Sequence, residues 1–513
     1  MRAARAVAGV AAAATGGLAA WDLLQRRHSL LRTFPVVGHL RFALEAIGPE
    51  LRQYIVTDND GERPFSRDQR RWVYATAKLE DPNFGFGTDN DLDRATAYPV
   101  AKHAAFPLGP TAGDPGHPDP ALELPCAKVL GAARGRAGAF RPRSVVNVSS
   151  MSFGALSASA IIGLNRGAAM AGALHGTGEG AISPHHLQGG DLVWQIGTGY
   201  FGCRTPDGRF DLDQLVARVA EVPQVRAIEI KLSQGAKAGL GGLLPAAKVT
   251  PAIAAMRGIP VGVDCHSPEA HTAFRDADSL LDVVEAIAEA TGLPVGIKSA
   301  VGEHGFWVEL AELMATTGRG VDFVTVDGGE GGTGAAPLAF SDHVALPFLL
   351  GFPRVYRAFA AAGLHDDVVF VGSGRLGLPE RALVAMALGC DLVNVGRTAM
   401  LALGCIQSQR CHTGRCPTGV ATQSPWLERG LDPTLKSVRV ANHIAALRYE
   451  LERLARATGH RHPGLVEPSD LEVLDADAIA QTLAERHGYE AGWGTPSAAD
   501  RAAIVELVEA RPA

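Results

Sequence analysis

Three cysteines, Cys405, Cys411 and Cys416, stand at a C-x5-C-x4-C spacing, and Pro417 follows the last. Three thiolates on one short loop can hold the irons of an iron–sulfur cluster, and a cuboidal cluster lacking one iron suits three ligands. Zinc with His412 as fourth ligand, or three unliganded thiols, would show the same spacing. A second signal is Lys231 and Lys298, each closing an apolar, β-rich run. A lysine there can balance charge on a reduced, anionic flavin ring or meet an acid substrate; pairing with a neighbouring Glu is the structural alternative. The third signal is Val371-Gly372-Ser373-Gly374-Arg375 and Val395-Gly396-Arg397-Thr398. Backbone N–H groups of such turns, with a helix N-terminus, receive phosphate. Arg375 and Arg397 would add charge, although ordinary glycine turns look alike. Gln234, Lys237 and Lys248 each read as solvated loop residues, and His185 and His186 as loop histidines.

These residues need a frame to hold them. Eight short β-rich runs recur after Arg143: 145–148, 173–176, 194–197, 227–232, 294–298, 323–326, 368–372 and 392–395. Helical patterns such as Ser279–Thr291 and Pro379–Leu388 lie between many of them. Strand–helix alternation predicts an α/β fold with a parallel sheet, and eight units predict a (β/α)8 TIM barrel. An open doubly wound sheet is the competing arrangement. The connection after Leu232 is unusually long, and long loops in compact domains are usually functional. In a barrel it would stand over the active-site face. Residues 31–140 form an irregular N-terminal region, 141–426 the barrel with its cysteine loop, and 427–513 a charged helical tail packed outside it.

The 513 residues are 47% hydrophobic and 20% charged, a globular balance that excludes a wholly disordered chain. A net charge of −6 gives no sign of nucleic-acid binding. Gly is high at 60 residues, and the excess is clustered, as in Asp327-Gly-Gly-Glu-Gly-Gly-Thr-Gly334. Clustered Gly marks tight turns and close backbone approach to a ligand. Seven Cys, an odd number with one tight group, read as thiols in a reducing compartment. Residues 1–30 hold a candidate membrane helix. Ala6–Trp21 carries no charge, and such a helix spans about 24 Å of a roughly 30 Å core. Leu23 and Leu24 would close the gap. Arg26, Arg27 and Arg32 follow it, against Arg2 and Arg5 before it. That favours a cytoplasmic body behind an inner-membrane anchor. A soluble helix or a cleaved signal peptide are the other readings.

From about 145 to 423 the chain resembles the FMN-binding synthase domain of glutamate synthase. The matching segments are Ser150-Met151-Ser152-Phe153-Gly154, Gly178-Glu179-Gly180, Ile228–Lys237, Gly241-Gly242, Leu244-Pro245, Asp327–Pro337 and Cys405–Gln423. The run Cys416-Pro-Thr-Gly-Val-Ala-Thr-Gln423 matches closely, and the start of the chain looks like a stand-alone bacterial branch. The resemblance implies a (β/α)8 barrel, FMN and a [3Fe-4S] cluster held by Cys405, Cys411 and Cys416. It places Lys298 near the flavin, and Lys231, Gln234, Lys237 and Glu179 beside flavin and 2-oxo acid. Ser150, Met151, Gln195, Gly328, Gly329, Gly372, Gly374, Arg375, Gly396 and Arg397 become expected cofactor contacts.

The sequence departs from complete synthases in four places. No glutaminase domain with a catalytic Cys is expected to lead the chain, and no built-in NADPH-binding arm is expected. Glu330 stands where those synthases more often have Asp. His271 and Thr272 lie where the family pattern is richer in His and Asp. The implied activity is reductive amination of 2-oxoglutarate, through 2-iminoglutarate, to L-glutamate. Electrons would come from ferredoxin or another protein. Ammonia would be free or delivered by a separate glutaminase subunit. Alternatives are an amine-dependent synthase of the N-methylglutamate type, an FMN-dependent hydroxy-acid oxidase, and a non-enzymatic membrane-tethered binding protein.

Overall fold

The computed structural model describes residues 2–25, 29–56, 61–92, 95–111, 113–475 and 479–511. It divides into two compact units, one ending at Arg70 and one beginning at Arg71.

The larger unit is built on eight parallel strands: β1 (Val146–Val148), β2 (His175–Gly176), β3 (Leu192–Ile196), β4 (Val225–Lys231), β5 (Val295–Ala300), β6 (Phe323–Asp327), β7 (Val369–Ser373) and β8 (Leu392–Val395). They close into a barrel in chain order, with β8 pairing β1 through Val393–Val146 and Val395–Val148. Every expected run is a strand, and the doubly wound alternative is excluded by this closure. The strands are buried along most of their length, as parallel strands covered on both sides must be, so they read as apolar runs rather than alternating ones. Bounds shift in places. β2 is shorter than expected, and β5 runs two residues beyond Lys298 to Ala300.

Residues 126–140 stopper the N-terminal end of the barrel. Cys126 and Leu130 pack with Ala227, Phe323, Val369 and Leu392, near the starts of four strands, and Phe140 lies against them. The C-terminal ends are therefore where loops can gather around a ligand. Helices fix the loops between strands. Ser157 caps Ala158–Met170 through the Ala160 amide, and Asp276 caps Ala277–Thr291 through the Ser279 amide. Each such cap is worth about 1 kcal/mol.

The tail helix Pro433–Ala457 packs on Ala158–Met170. Their approach is set by glycine: a Cβ on Gly167 would stand 2.6 Å from Val440 Cβ, while Gly163 makes room for another helix, Arg397–Leu403, where a Cβ would stand 2.8 Å from Leu403 Cδ2. Beyond it, Leu471–Leu474 pairs antiparallel with both Tyr98–Ala101 and Ala480–Thr482. The tail thus also contributes strands, which join the irregular N-terminal region.

In the smaller unit, helix Arg2–Leu24 is followed by Ser29–Thr33 and Gly38–Leu51. Residues Arg5–Leu24 are long and apolar enough to cross a membrane by length and composition. Asp22 is fully buried and accepts from the Val36 amide at 2.8 Å, with His39 Nε2 at 2.9 Å.

Candidate active site

β4 and β5 are in register so that Lys231 lies opposite Lys298. Side chains of register partners share a face, so both ammoniums leave the sheet together near its C-terminal edge. Each finds a carboxylate. Lys231 Nζ donates to Glu179 Oε1 at 2.8 Å and to Gln234 Oε1 at 3.2 Å. Lys298 Nζ lies 3.7 Å from Asp327 Oδ2. Lys237 Nζ is 3.5 Å from Glu179 Oε1, so the structure gathers Glu179, Lys231, Gln234 and Lys237 into one cluster. Lys237 is buried rather than a solvated loop residue. Burial alone would raise Glu179, but the charges of Lys231 and Lys237 outweigh it and hold the carboxyl at about 2. Burial pulls Lys231 below its ordinary range, with the Glu179 charge opposing.

The long loop after β4 supplies a residue that the sequence did not single out. Arg257 ends helix Pro251–Arg257 and is buried. Its Nη2 donates to Phe153 O at 3.3 Å, while Nε is buried without a hydrogen-bond partner. Its charge also acts on Glu179. Small residues make the room: a Cβ on Gly180 would stand 2.6 Å from Arg257 Nη2, and one on Gly197 would stand 2.5 Å from Glu179 Oε2. Its legible signal was the Gly258 that stops this helix in the left-handed region, at φ 62°.

His271 steadies the same strand end. Its Nε2 donates to Lys231 O at 2.9 Å, and its Nδ1 accepts from the Tyr200 hydroxyl at 2.9 Å. Tyr200 in turn accepts from the Thr272 and Ala273 amides. Burial lowers His271, which keeps it neutral in this chain of bonds. His186 is also buried, held at about 4 by desolvation. Its Nε2 donates to Met151 O at 3.3 Å, bracing the loop after β1.

Inside the barrel, Glu229 accepts from Gln195 Nε2 at 2.6 Å and from Thr325 Oγ1 at 2.6 Å, with Ser150 Oγ at 3.4 Å. Gln195 and Ser150 thus face a buried carboxylate. Glu229 lay within the quoted Ile228–Lys237 segment, but nothing in its spacing separated it from an ordinary strand residue.

The glycine-bearing turns after β6, β7 and β8 meet. Gly328 N donates to Ser373 O at 2.8 Å, and a Cβ on Gly374 would lie 3.0 Å from Gly328 N. Gly235 is pressed so closely on Gly328 O that no side chain fits, and its amide donates to Asp327 Oδ2 at 2.9 Å. Gly329 N donates to Leu346 O at 2.8 Å, and Gly372 lies within β7. Arg375 adopts φ 55° at this turn. Gly396 precedes helix Arg397–Leu403. Arg397 donates to Glu330 O, and Thr398 Oγ1 is buried without a partner. An arginine, side-chain-free turns and an orphaned hydroxyl are a donor set that fits a phosphate group.

The cysteine loop docks on the loop after β1. Gln423 Nε2 donates to Leu156 O at 2.8 Å, and Ser157 N donates to Val420 O at 3.0 Å. All seven cysteines are thiols. Burial opposes ionisation of Cys416, but the Thr418 hydroxyl and the amides of Thr418, Val420 and Ala421 outweigh it and lower the thiol. Burial and the neighbouring Cys416 raise Cys411. Among the described residues no three His, Cys, Asp or Glu side chains are gathered to hold a metal. Cys405, Cys411 and Cys416 therefore suit iron by residue type, without forming a ready-made cage.

Residues 137–461 match the family described as "Conserved region in glutamate synthase". That is more than half the chain, and it spans the barrel, the lysine cluster and the cysteine loop. The chain belongs to the glutamate synthase family. It is an oxidoreductase of the class acting on CH–NH2 groups. The glutamate synthase large subunit-like protein YerD of Bacillus subtilis is 35% identical over 86% of this chain and 89% of its own length. An archaeal glutamate synthase [NADPH] of Methanocaldococcus jannaschii is 36% identical over 61% of this chain, which spans 59% of that relative. Among solved structures, a mutant flavocytochrome b2 with pyruvate bound aligns at 13% identity and a TM-score of 0.43, over 83% of this chain and 91% of its own.

Proposed function

We propose that this glutamate synthase homologue reductively aminates 2-oxoglutarate, through 2-iminoglutarate, to L-glutamate. The observation that carries the reading is the charge around Glu179. Three cations, Lys231, Lys237 and Arg257, act on one carboxylate. The surplus of two positive charges complements a 2-oxo dicarboxylate. Arg257, with its unbonded Nε, and Lys237 would take the substrate carboxylates; Lys231, fixed through His271, would orient the reacting end. Glu179 stays ionised and bridges the two lysines rather than acting as an acid.

FMN fits beside this cluster, with its phosphate held by the turns at Gly328, Gly374 and Gly396 together with Arg397 and Thr398. Lys298 would hold positive charge next to its ring. When bound, FMN supplies the hydride that reduces C2 of the imino acid. A [3Fe-4S] cluster on Cys405, Cys411 and Cys416 would supply single electrons. Lys248 supports it. It is buried, and its Nζ donates to Ala155 O at 2.9 Å. Burial pulls Lys248 below its ordinary range, and the charges that oppose this are those of Cys411 and Cys416. Burying an ammonium without an anion is costly, and cluster thiolates would supply one. A ferredoxin-like protein is the proposed electron donor. Free ammonia, or ammonia from a separate glutaminase subunit, is the proposed nitrogen source.

The test is anaerobic reduction of the purified chain by dithionite, then addition of 2-oxoglutarate with ammonium. Flavin reoxidation matched by L-glutamate is expected. Flavin that stays reduced there, in a protein that L-lactate can reduce, would replace this reading with hydroxy-acid oxidation.

A further inference from the structure

Among the described residues of the smaller unit, helix Gly38–Leu51 carries an apolar face that nothing covers. Leu40, Leu44, Ile47 and Leu51 follow one another at spacings of three and four, which places them on one helical face, and Val37 lies in the turn just before the helix. All five are exposed, Leu40 at 62% and Ile47 at 50%. Arg41 and Glu45 pair at i,i+4 along the flank of this stripe. An isolated helix of this length is marginal in water, so an uncovered apolar stripe calls for a partner.

We infer that this stripe rests on a lipid bilayer, as an interfacial foot beside a spanning helix. The preceding helix points to that occupant. Arg5–Leu24 is long and apolar enough to span, and 6% of its span is buried. Val7, Val10, Trp21 and Leu24 are all more than half exposed. The join between the two helices is built. Asp22 is held by the Val36 amide and His39, Leu31 is buried, and a Cβ on Gly38 would stand 2.9 Å from Leu31 Cδ2. The chain thus turns at the end of the first helix and starts the second beside it, where a bilayer surface would lie.

Charge agrees. Between residues 25 and 51 the sequence carries four arginines (26, 27, 32 and 41) against two glutamates (45 and 50). That balance suits anionic headgroups, each nearby base contributing about 1 kcal/mol. A second copy of the chain is the competing occupant, since the spacing is also that of a coiled-coil seam. Two heptads are fewer than the three or four that sustain such a coil. The inference does not depend on the amination chemistry.

Hydrogen exchange of the full chain tests it, in vesicles of phosphatidylcholine with phosphatidylglycerol and in detergent. Residues 38–51 should exchange at least tenfold more slowly in vesicles. The variant L40E/L44E/I47E should lose that protection while residues 6–24 stay protected. Unchanged exchange in the barrel strands reports that the variant is folded. Equal exchange of 38–51 in the presence and absence of vesicles would overturn the foot. Protection that persists at twice the chain mass without lipid would assign the stripe to a second copy. Release of the whole protein from membranes by salt alone would overturn the spanning helix.

Discussion

Glu179 is the residue through which pH should reach the site. Its folded pKa of about 2 lies below the ordinary carboxylate value, because Lys231 and Lys237 outweigh its burial. A depressed pKa stabilises the fold above the unfolded value and loses that contribution as pH falls through the folded one. The window therefore runs from about 4.5 down to about 2. The shift corresponds to about 3 kcal/mol. Urea unfolding should show Glu179→Gln destabilised at pH 7, with the difference from the parent shrinking as pH drops through that window. A constant difference would assign the loss to packing instead. Arg257 makes a different prediction. Arg257→Ala should raise KM for 2-oxoglutarate at least tenfold, because a charged hydrogen bond is worth about 1.5–3 kcal/mol. Steady-state kinetics with ammonium held saturating checks this. A KM that stays put while kcat falls would remove Arg257 from carboxylate binding.

At the scale of elements, loops rather than strands hold the chemistry, and helices hold the loops. The loop after β1 is pinned on one side by His186 and on the other by Gln423 from the cysteine loop. The helix that follows it, Ala158–Met170, packs against Pro433–Ala457 through Gly167. Gly167→Ala would bring a methyl to 2.7 Å from Ser437 O. Relief of glycine's helix penalty gains about 1 kcal/mol at most, whereas overpacking costs about 1–3 kcal/mol. Net destabilisation is expected, read from the urea midpoint. A more stable variant would show that the two helices separate easily.

For the whole molecule, the decisive quantity is what the folded chain carries. Anaerobically purified protein should show flavin absorbance and about three irons per chain, as three thiolates suit. Cys411→Ser should remove iron and its absorbance, slow flavin reduction by a protein donor, and leave flavin content and barrel stability unchanged. Normal donor-driven reduction in an iron-free variant would separate the cysteine loop from electron entry. Flavin without iron in the parent protein would do the same.

The fold was legible because a closed parallel barrel writes itself locally. Each strand is buried on both faces, so each is an apolar run, and eight such runs between helical patterns leave few alternatives. The cysteine spacing and Lys231, Gln234 and Lys237 could be read because they fall on short, dense segments. What the sequence could not decide were meetings between distant segments. Glu179 joins Lys231 across 52 positions, Arg257 arrives from within the long loop, and Gln195 meets Glu229 inside the barrel. Nor could residue type alone tell a solvated Lys237 or Lys248 from a buried one. Burial and the neighbouring charges that set a group's chemistry are properties of packing, and only the tertiary structure supplies them.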